Sequence, residues 1–124
     1  MPFPEERTVL AEAVSDIRAM AELLEMHFTE SHQQREEIYK AGLASVPFLY
    51  ALGDVIIAWL LLRQAEVANT ALEAGRAGQD GDFYRGKIAS ARFFTRSVLP
   101  GISATLAYIT RIDGDVMDLP EAGF

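Results

Sequence analysis

The amino-acid sequence predicts an all-α fold, an antiparallel up-and-down bundle of three long helices. Half of the 124 residues are apolar, which is enough for one packed core. These apolar residues repeat at spacings of three and four, and no segment shows the strict alternation of a half-buried strand. Short connections between long helices make sequential neighbours antiparallel. We therefore expect residues 1–124 to form a single helical domain.

The first helix is expected at about residues 4–29. Pro4 suits a first helical turn, and Glu5 and Glu6 complement the positive end of the helix dipole. The apolar stripe predicted to face the core is Leu10, Val14, Ile17, Ala21, Leu24 and Phe28.

The second helix is expected at about residues 33–74, with Ser31 and Gln34 as a capping box at its start. Pro47 lies inside this stretch, removes one backbone hydrogen bond and clashes with the preceding turn. Two arrangements remain open. Either one long helix is kinked at Pro47, or the stretch is split there into two helices, which would make four in the bundle.

A glycine-rich loop from Gly75 to Asp82 separates the second helix from the third. Gly75 is suited to end a helix in the left-handed conformation, and Asp80 or Asp82 to cap the next one. The third helix is expected at about residues 82–112, bent at Pro100. Its predicted stripe is Ile88, Ala91, Thr95, Val98, Ile102, Leu106 and Ile109. Residues 113–124 are expected to form an acidic, extended tail.

Antiparallel packing also predicts which charged residues lie level with one another. With turns centred near residues 30 and 79, Glu66 would pair with Arg92. Asp54 would pair with Arg7 if the second helix is continuous.

The run from Val46 to Leu62 is almost entirely apolar. A membrane span is disfavoured, because the run is short for a bilayer and Asp54 lies at its middle, where a carboxylate costs roughly 2.5–3.5 kcal/mol. A helix buried on most of its circumference is the favoured interpretation. In a bundle of three helices, the other two cannot easily cover the second helix on all sides. We therefore expect a further covering element: a fourth helix, a second copy of the chain or a missing domain.

Charge and composition exclude several classes of function. The net charge is −7, and no basic stripe is present, which disfavours nucleic-acid binding. There is no cysteine, so disulfides, thiolate metal sites and a cysteine nucleophile are excluded. The N-terminal segment lacks the features of a signal peptide, and a cytoplasmic location is the expectation.

No catalytic, cofactor-binding or metal-ligating constellation can be assembled from the sequence. His27 and His32 are five residues apart and are expected to be exposed and without ligands. The Glu-x-x-His motifs of a di-iron bundle and the lysine of a phosphate loop are both missing. Asp54 is the one ionisable residue in a strongly apolar stretch, and a structural ion pair or hydrogen bond is favoured over a functional role. The aromatic residues expected in core and interface are Phe48, Tyr50, Trp59, Phe83, Tyr84, Phe93, Phe94 and Tyr108.

Several short segments of the sequence resemble those of a known protein family. Tyr50-Ala-Leu-Gly53 followed by Ala58-Trp59-Leu60-Leu61 is similar to the glycine-then-tryptophan helix in the C-terminal domain of bacterial acyl-CoA dehydrogenases of the 3-methylmercaptopropionyl-CoA dehydrogenase-like group. Phe83-Tyr84, Lys87 to Phe94 and Val98-Leu99-Pro100 resemble the last long helix of that domain. The ending Leu119 to Phe124 resembles the acidic, phenylalanine-terminated tail of the group.

The resemblance implies a parent enzyme that binds FAD and oxidises an acyl-CoA to its 2,3-enoyl product. It implies that the glutamate base and the flavin contacts precede residue 1, so no catalytic or FAD-binding residue is assigned here. The expected role is a non-catalytic structural and oligomerisation domain. Its partner would be the remainder of the dehydrogenase or a second copy of the chain in a homo-oligomer. The alternative is a stand-alone helical adaptor that self-associates through its apolar second helix.

Overall fold

A computed structural model describes residues 1–124 and is all-helical, without strands. The helices are α1 (Pro4–Glu30), α2 (Glu37–Glu73), α3 (Gly81–Ser97) and α4 (Gly101–Thr110). Short 3-10 turns lie at Gly78–Asp80 and Glu121–Gly123. The predicted fold class is confirmed. Three long helical stretches form the bundle, and the third is interrupted.

Helix α1 begins at Pro4, as predicted, with Glu5 and Glu6 in its first turn. Phe3 precedes it in the left-handed backbone conformation, with φ 58°, and its side chain is buried. The core-facing positions of α1 are Glu6, Ala13, Met20 and His27, at a spacing of seven. The predicted stripe is thus only partly right. Its members at 10, 14, 17 and 24 flank this line and are half-buried, whereas Ala21 and Phe28 are exposed.

Helix α2 is continuous from Glu37 to Glu73 with Pro47 inside it, so the arrangement with two helices is wrong. The helix also begins later than expected. The Ser31 hydroxyl donates to the carbonyl oxygen of Phe28 at 2.5 Å and therefore closes the end of α1. Turns occupy residues 31–36, and Glu36 precedes α2 without a side-chain capping bond. The capping-box prediction is wrong because Ser31 is already used by the preceding helix.

The connection from α2 to α3 is as short as predicted. Gly75 adopts a φ of 65° just beyond the end of α2, a conformation that glycine tolerates without a side-chain clash. Asp80 occupies the position before α3 but makes no side-chain capping bond. Asp82 instead accepts from Arg85 at 2.7 Å.

The third stretch is divided at Val98–Pro100 into α3 and α4, which confirms the bend expected at Pro100. Leu99 lies within the break and is buried. Helix α4 ends at Thr110, before the predicted residue 112, and the following tail consists mostly of exposed turns.

Ion pairs at both ends of α1 and α2 show how these two helices are oriented. Arg7 near the start of α1 meets Glu66 near the end of α2, whereas His27 and Glu37 meet at the other end of the pair. Helices α1 and α2 are therefore antiparallel. The principal core lies between α1, α2 and α4 and is made of Ala13, Met20, Ala44, Ala51, Val55, Ala58, Leu99, Ile102 and Ile109. A second cluster at the other end contains Phe3, Leu62, Ala65 and Ala91.

Candidate functional site

The inner face of α2 is built from alanine. Ala44, Ala51, Ala58 and Ala65 recur every seven residues, and none is more than 3% exposed. Seven residues are close to two helical turns, so these alanines form one line along the helix. Side chains this small allow the neighbouring helix backbones to approach closely.

The outer side of α2 carries the large apolar side chains. Leu49 is 65% exposed, Tyr50 73% and Trp59 53%. The others between residues 43 and 67 are Leu43, Val46, Ile56, Ile57, Leu60 and Val67. Within this chain 22% of the most apolar 18-residue stretch of α2 is buried, so the other helices leave most of its circumference uncovered, and its burial by a further element stays a prediction. We call this surface the outer α2 face.

By length and composition alone, α2 could cross a membrane. Core helices of soluble proteins share this length and composition. Asp54 is only half-buried and makes no side-chain hydrogen bond or ion pair. The structural contact predicted for it is therefore wrong.

The predicted charge pairs are also wrong. Arg7 binds Glu66 instead of Asp54. The turns at residues 31–36 lengthen the connection between α1 and α2. The centre of the turn shifts by about three residues, so the position level with Arg7 moves by about six residues, away from Asp54 and towards Glu66.

The partner of Arg92 is the buried carboxylate of Glu6, 3.4 Å away, and not Glu66. Arg96 lies 3.5 Å from the same carboxylate. Arg92 also packs over the ring of Phe3, with 5.4 Å between its guanidinium carbon and the ring centroid. These contacts join the first turn of α1 to α3. Periodicity gave no sign that a glutamate at the helix start would be buried.

A buried polar cluster lies at the other end of α1. His27 is 8% exposed, so the expectation that it is exposed is wrong, whereas His32 is exposed as expected. Nδ1 of His27 lies 2.9 Å from Oε2 of Glu37, and Nζ of Lys40 lies 2.7 Å from Oε1. A carboxylate only accepts, so both neighbours donate to it.

Both partners affect the ionisation of Glu37. Hydrogen bonds from Lys40 and then from His27 lower the pKa of Glu37 below its ordinary value of 4.5. Glu37 in turn raises the pKa of Lys40, because its carboxylate stabilises the ammonium. The cluster links the end of α1 to the start of α2.

A metal could be held by His27, Glu30 and Glu37, whose ligand atoms lie within 4.8 Å of one another. The ammonium of Lys40 already provides a positive charge at Glu37, and both oxygens of that carboxylate are engaged. The cluster is thus fully explained as an ion-paired helix connection. The absence of a metal site stays a prediction.

The aromatic residues expected in core and interface are mostly exposed in this chain. Five of the eight aromatic residues are more than half exposed: Tyr50, Trp59, Phe83, Phe93 and Tyr108. Phe48, Tyr84 and Phe94 are half-buried. Phe83 and Tyr84 line an open groove of about 510 Å³ between α2 and α3, together with Leu60, Arg63, Gln64, Val67, Ala68 and Lys87. Most of the aromatic side chains thus lie on the surface of this chain, whereas Phe48 and Phe94 pack against the principal core.

Comparison with known proteins identifies what these helices resemble. A family model described as "Acetyl-CoA dehydrogenase C-terminal like" matches residues 2–120. The broad-specificity linear acyl-CoA dehydrogenase FadE5 of Mycobacterium tuberculosis is 45% identical over 119 residues, which are 96% of this chain and 20% of that protein.

Two butyryl-CoA dehydrogenases of Syntrophomonas wolfei are also similar. One is 40% identical over 77 residues, covering 61% of this chain and 13% of the relative. The other is 30% identical over 95 residues, covering 76% and 15% respectively. The chain thus spans a fifth or less of the length of these relatives.

Proposed function

Because this chain belongs to the family of acetyl-CoA dehydrogenase C-terminal-like domains, we propose that it serves as a non-catalytic structural and oligomerisation domain. The parent enzyme would be an FAD-dependent acyl-CoA dehydrogenase of fatty acid metabolism that oxidises acyl-CoA to 2,3-enoyl-CoA. The match over residues 2–120 carries the link to the dehydrogenases. The proposed location is the cytoplasm.

The outer α2 face supports a role in packing. Monomeric soluble proteins rarely expose contiguous apolar patches larger than a few hundred Å², and larger patches mark interaction sites. Nine large apolar side chains of α2 between Leu43 and Val67 are 39–73% exposed. Their cover would be the remainder of the dehydrogenase or a second copy of the chain. In the alternative, a stand-alone adaptor, the same face would mediate self-association.

The residues of this chain do not fit a self-contained flavin site. No buried side-chain nitrogen or oxygen lacks a hydrogen-bond partner, so no buried polar group is left over for FAD. Gly75 and Gly78 lie in a loop between helices instead of following a strand, where dinucleotide-binding glycines are found. FAD and the catalytic base would therefore be held by parts of the parent enzyme outside these residues.

The non-catalytic role is tested with the purified chain. We expect no stoichiometric retention of FAD, measured by absorbance at the flavin bands, and no acyl-CoA oxidation with an artificial electron acceptor. A related full-length acyl-CoA dehydrogenase assayed in parallel serves as the positive control. Stoichiometric FAD together with turnover of an acyl-CoA would show that the proposed role is wrong.

A further inference from the structure

The outer α2 face contains a regular seam. Eight positions alternate at spacings of four and three, which is the heptad pattern of a helix that packs along its length against another helix. We call them the α2 seam: Gly42, Val46, Leu49, Gly53, Ile56, Leu60, Arg63 and Val67. Its five apolar side chains are 46–66% exposed. The alanine line lies on the opposite side of α2, so the helix has two separate packing surfaces.

We propose that the α2 seam binds the α2 seam of a second copy of this chain, with the two helices antiparallel. This inference rests on the proposed structural role and names its partner. In an antiparallel pair, the twofold axis passes between residues 54 and 55. Each seam residue that follows a spacing of three then faces a seam residue of the second copy that follows a spacing of four. Leu49 then lies opposite Leu60 of the second copy, and Gly53 lies opposite Ile56 of the second copy.

The sizes of the seam side chains match in this register. A Cβ added to Gly53 or Gly42 would meet no atom of its own chain within 4 Å, so the space above both glycines is open. Ile56 of the second copy fills the space over Gly53, and Val67 fills that over Gly42. A parallel pair would place glycine against glycine and leave two gaps. Complementarity with itself is what an isologous interface requires.

The available area also suits a dimer. Taking about 150 Å² for a large apolar side chain, the five half-exposed apolar side chains of the seam offer on the order of 400 Å². Leu43, Tyr50, Ile57 and Trp59 beside the seam raise this to on the order of 700 Å². A stable interface of standard size buries about 800 Å² per partner. Arg63 is the one charged member of the seam, and it lies towards one end, where it pairs with Glu66 at 3.2 Å. The other seven seam residues are uncharged, and Asp54, which lies level with the twofold axis, is outside the seam.

Directed cross-linking tests the register, because the chain has no cysteine of its own. Chains carrying Leu49→Cys are mixed with chains carrying Leu60→Cys and oxidised. We expect the mixed disulfide-linked dimer to form at least tenfold more than either homodimer. In the antiparallel pair, residue 49 and its own copy are eleven residues apart along the axis, roughly 16 Å. Equal cross-linking of Leu49→Cys with itself would overturn the antiparallel register.

Sedimentation of the whole chain tests the interface itself. We expect a dimer, and at least a tenfold weaker association for Gly53→Gln. The matched control is Gly86→Gln, a substitution of another helical glycine with open space around it, away from the seam, which should leave association unchanged. A folded wild-type monomer, or equal effects of the two substitutions, would overturn the inference. A monomer that retains no FAD would leave the proposed function standing, whereas FAD retention by a dimer would contradict the function alone.

Discussion

Enlarging one residue of the alanine line on α2 should weaken the fold strongly. Ala58 has no exposed surface, and Ala51 and Ala65 continue the line two turns away on either side. Ala58→Leu adds three carbon atoms at a position where helices are in contact. Overpacking a core costs typically 1–3 kcal/mol, and full burial places Ala58→Leu near the upper end, at about 3 kcal/mol. The helix propensities of alanine and leucine differ by only a few tenths of a kcal/mol, so packing dominates.

Urea unfolding followed by circular dichroism at 222 nm measures this loss, and thermal unfolding should show a Tm lower by about 10 °C. The matched control is Ala11→Leu, the same substitution at an exposed position of α1, which should stay within about 0.5 kcal/mol of wild type. If Ala58→Leu proves as stable as Ala11→Leu, the alanine line does not set the distance between the helices.

Two further predictions concern single positions. Glu37→Gln should destabilise the fold at neutral pH. Because the pKa of Glu37 is lowered below 4.5 in the folded state, its stabilising contribution is present above pH 4.5 and is lost as the pH falls through the lowered pKa. Urea unfolding from pH 7 to pH 3 should show the two proteins converging in acid, and a constant difference would contradict the role of the carboxylate. Gly75→Ala should cost about 1 kcal/mol, because φ is 65° there. Gly86→Ala, within α3, should instead stabilise by about 0.5–1 kcal/mol in thermal unfolding, and the same sign for both alanine variants would refute this reasoning.

The helical elements could be predicted because their signals are local. Pro4 begins α1, Gly75 terminates α2, and Pro100 breaks the third stretch, each through its own backbone restrictions. The start of α2 was misplaced because Ser31 suits either neighbouring helix, and its hydroxyl is used by α1. A local sequence pattern does not show which of two adjacent helices such a hydroxyl will form its hydrogen bond with.

The polar contacts could not be predicted, because they depend on the register between helices. The longer connection moved the position level with Arg7 away from Asp54, and Arg7 pairs with Glu66, twelve residues further along α2. Burial of His27 follows from its alignment with Met20 on the core side of α1, and a histidine at such a position gives no apolar signal.

The sequence by itself determined the helical class, the approximate helix lengths and the family resemblance. These depend on apolar periodicity, on prolines and glycines, and on short sequence motifs, all of which are properties of the chain alone. Only the tertiary structure decided which side of α2 faces the bundle. Both sides are apolar, so hydrophobicity does not distinguish them. Close packing of α2 against α1 and α3 selects the alanines for the inside, and most of the large apolar side chains between residues 43 and 67 are left exposed.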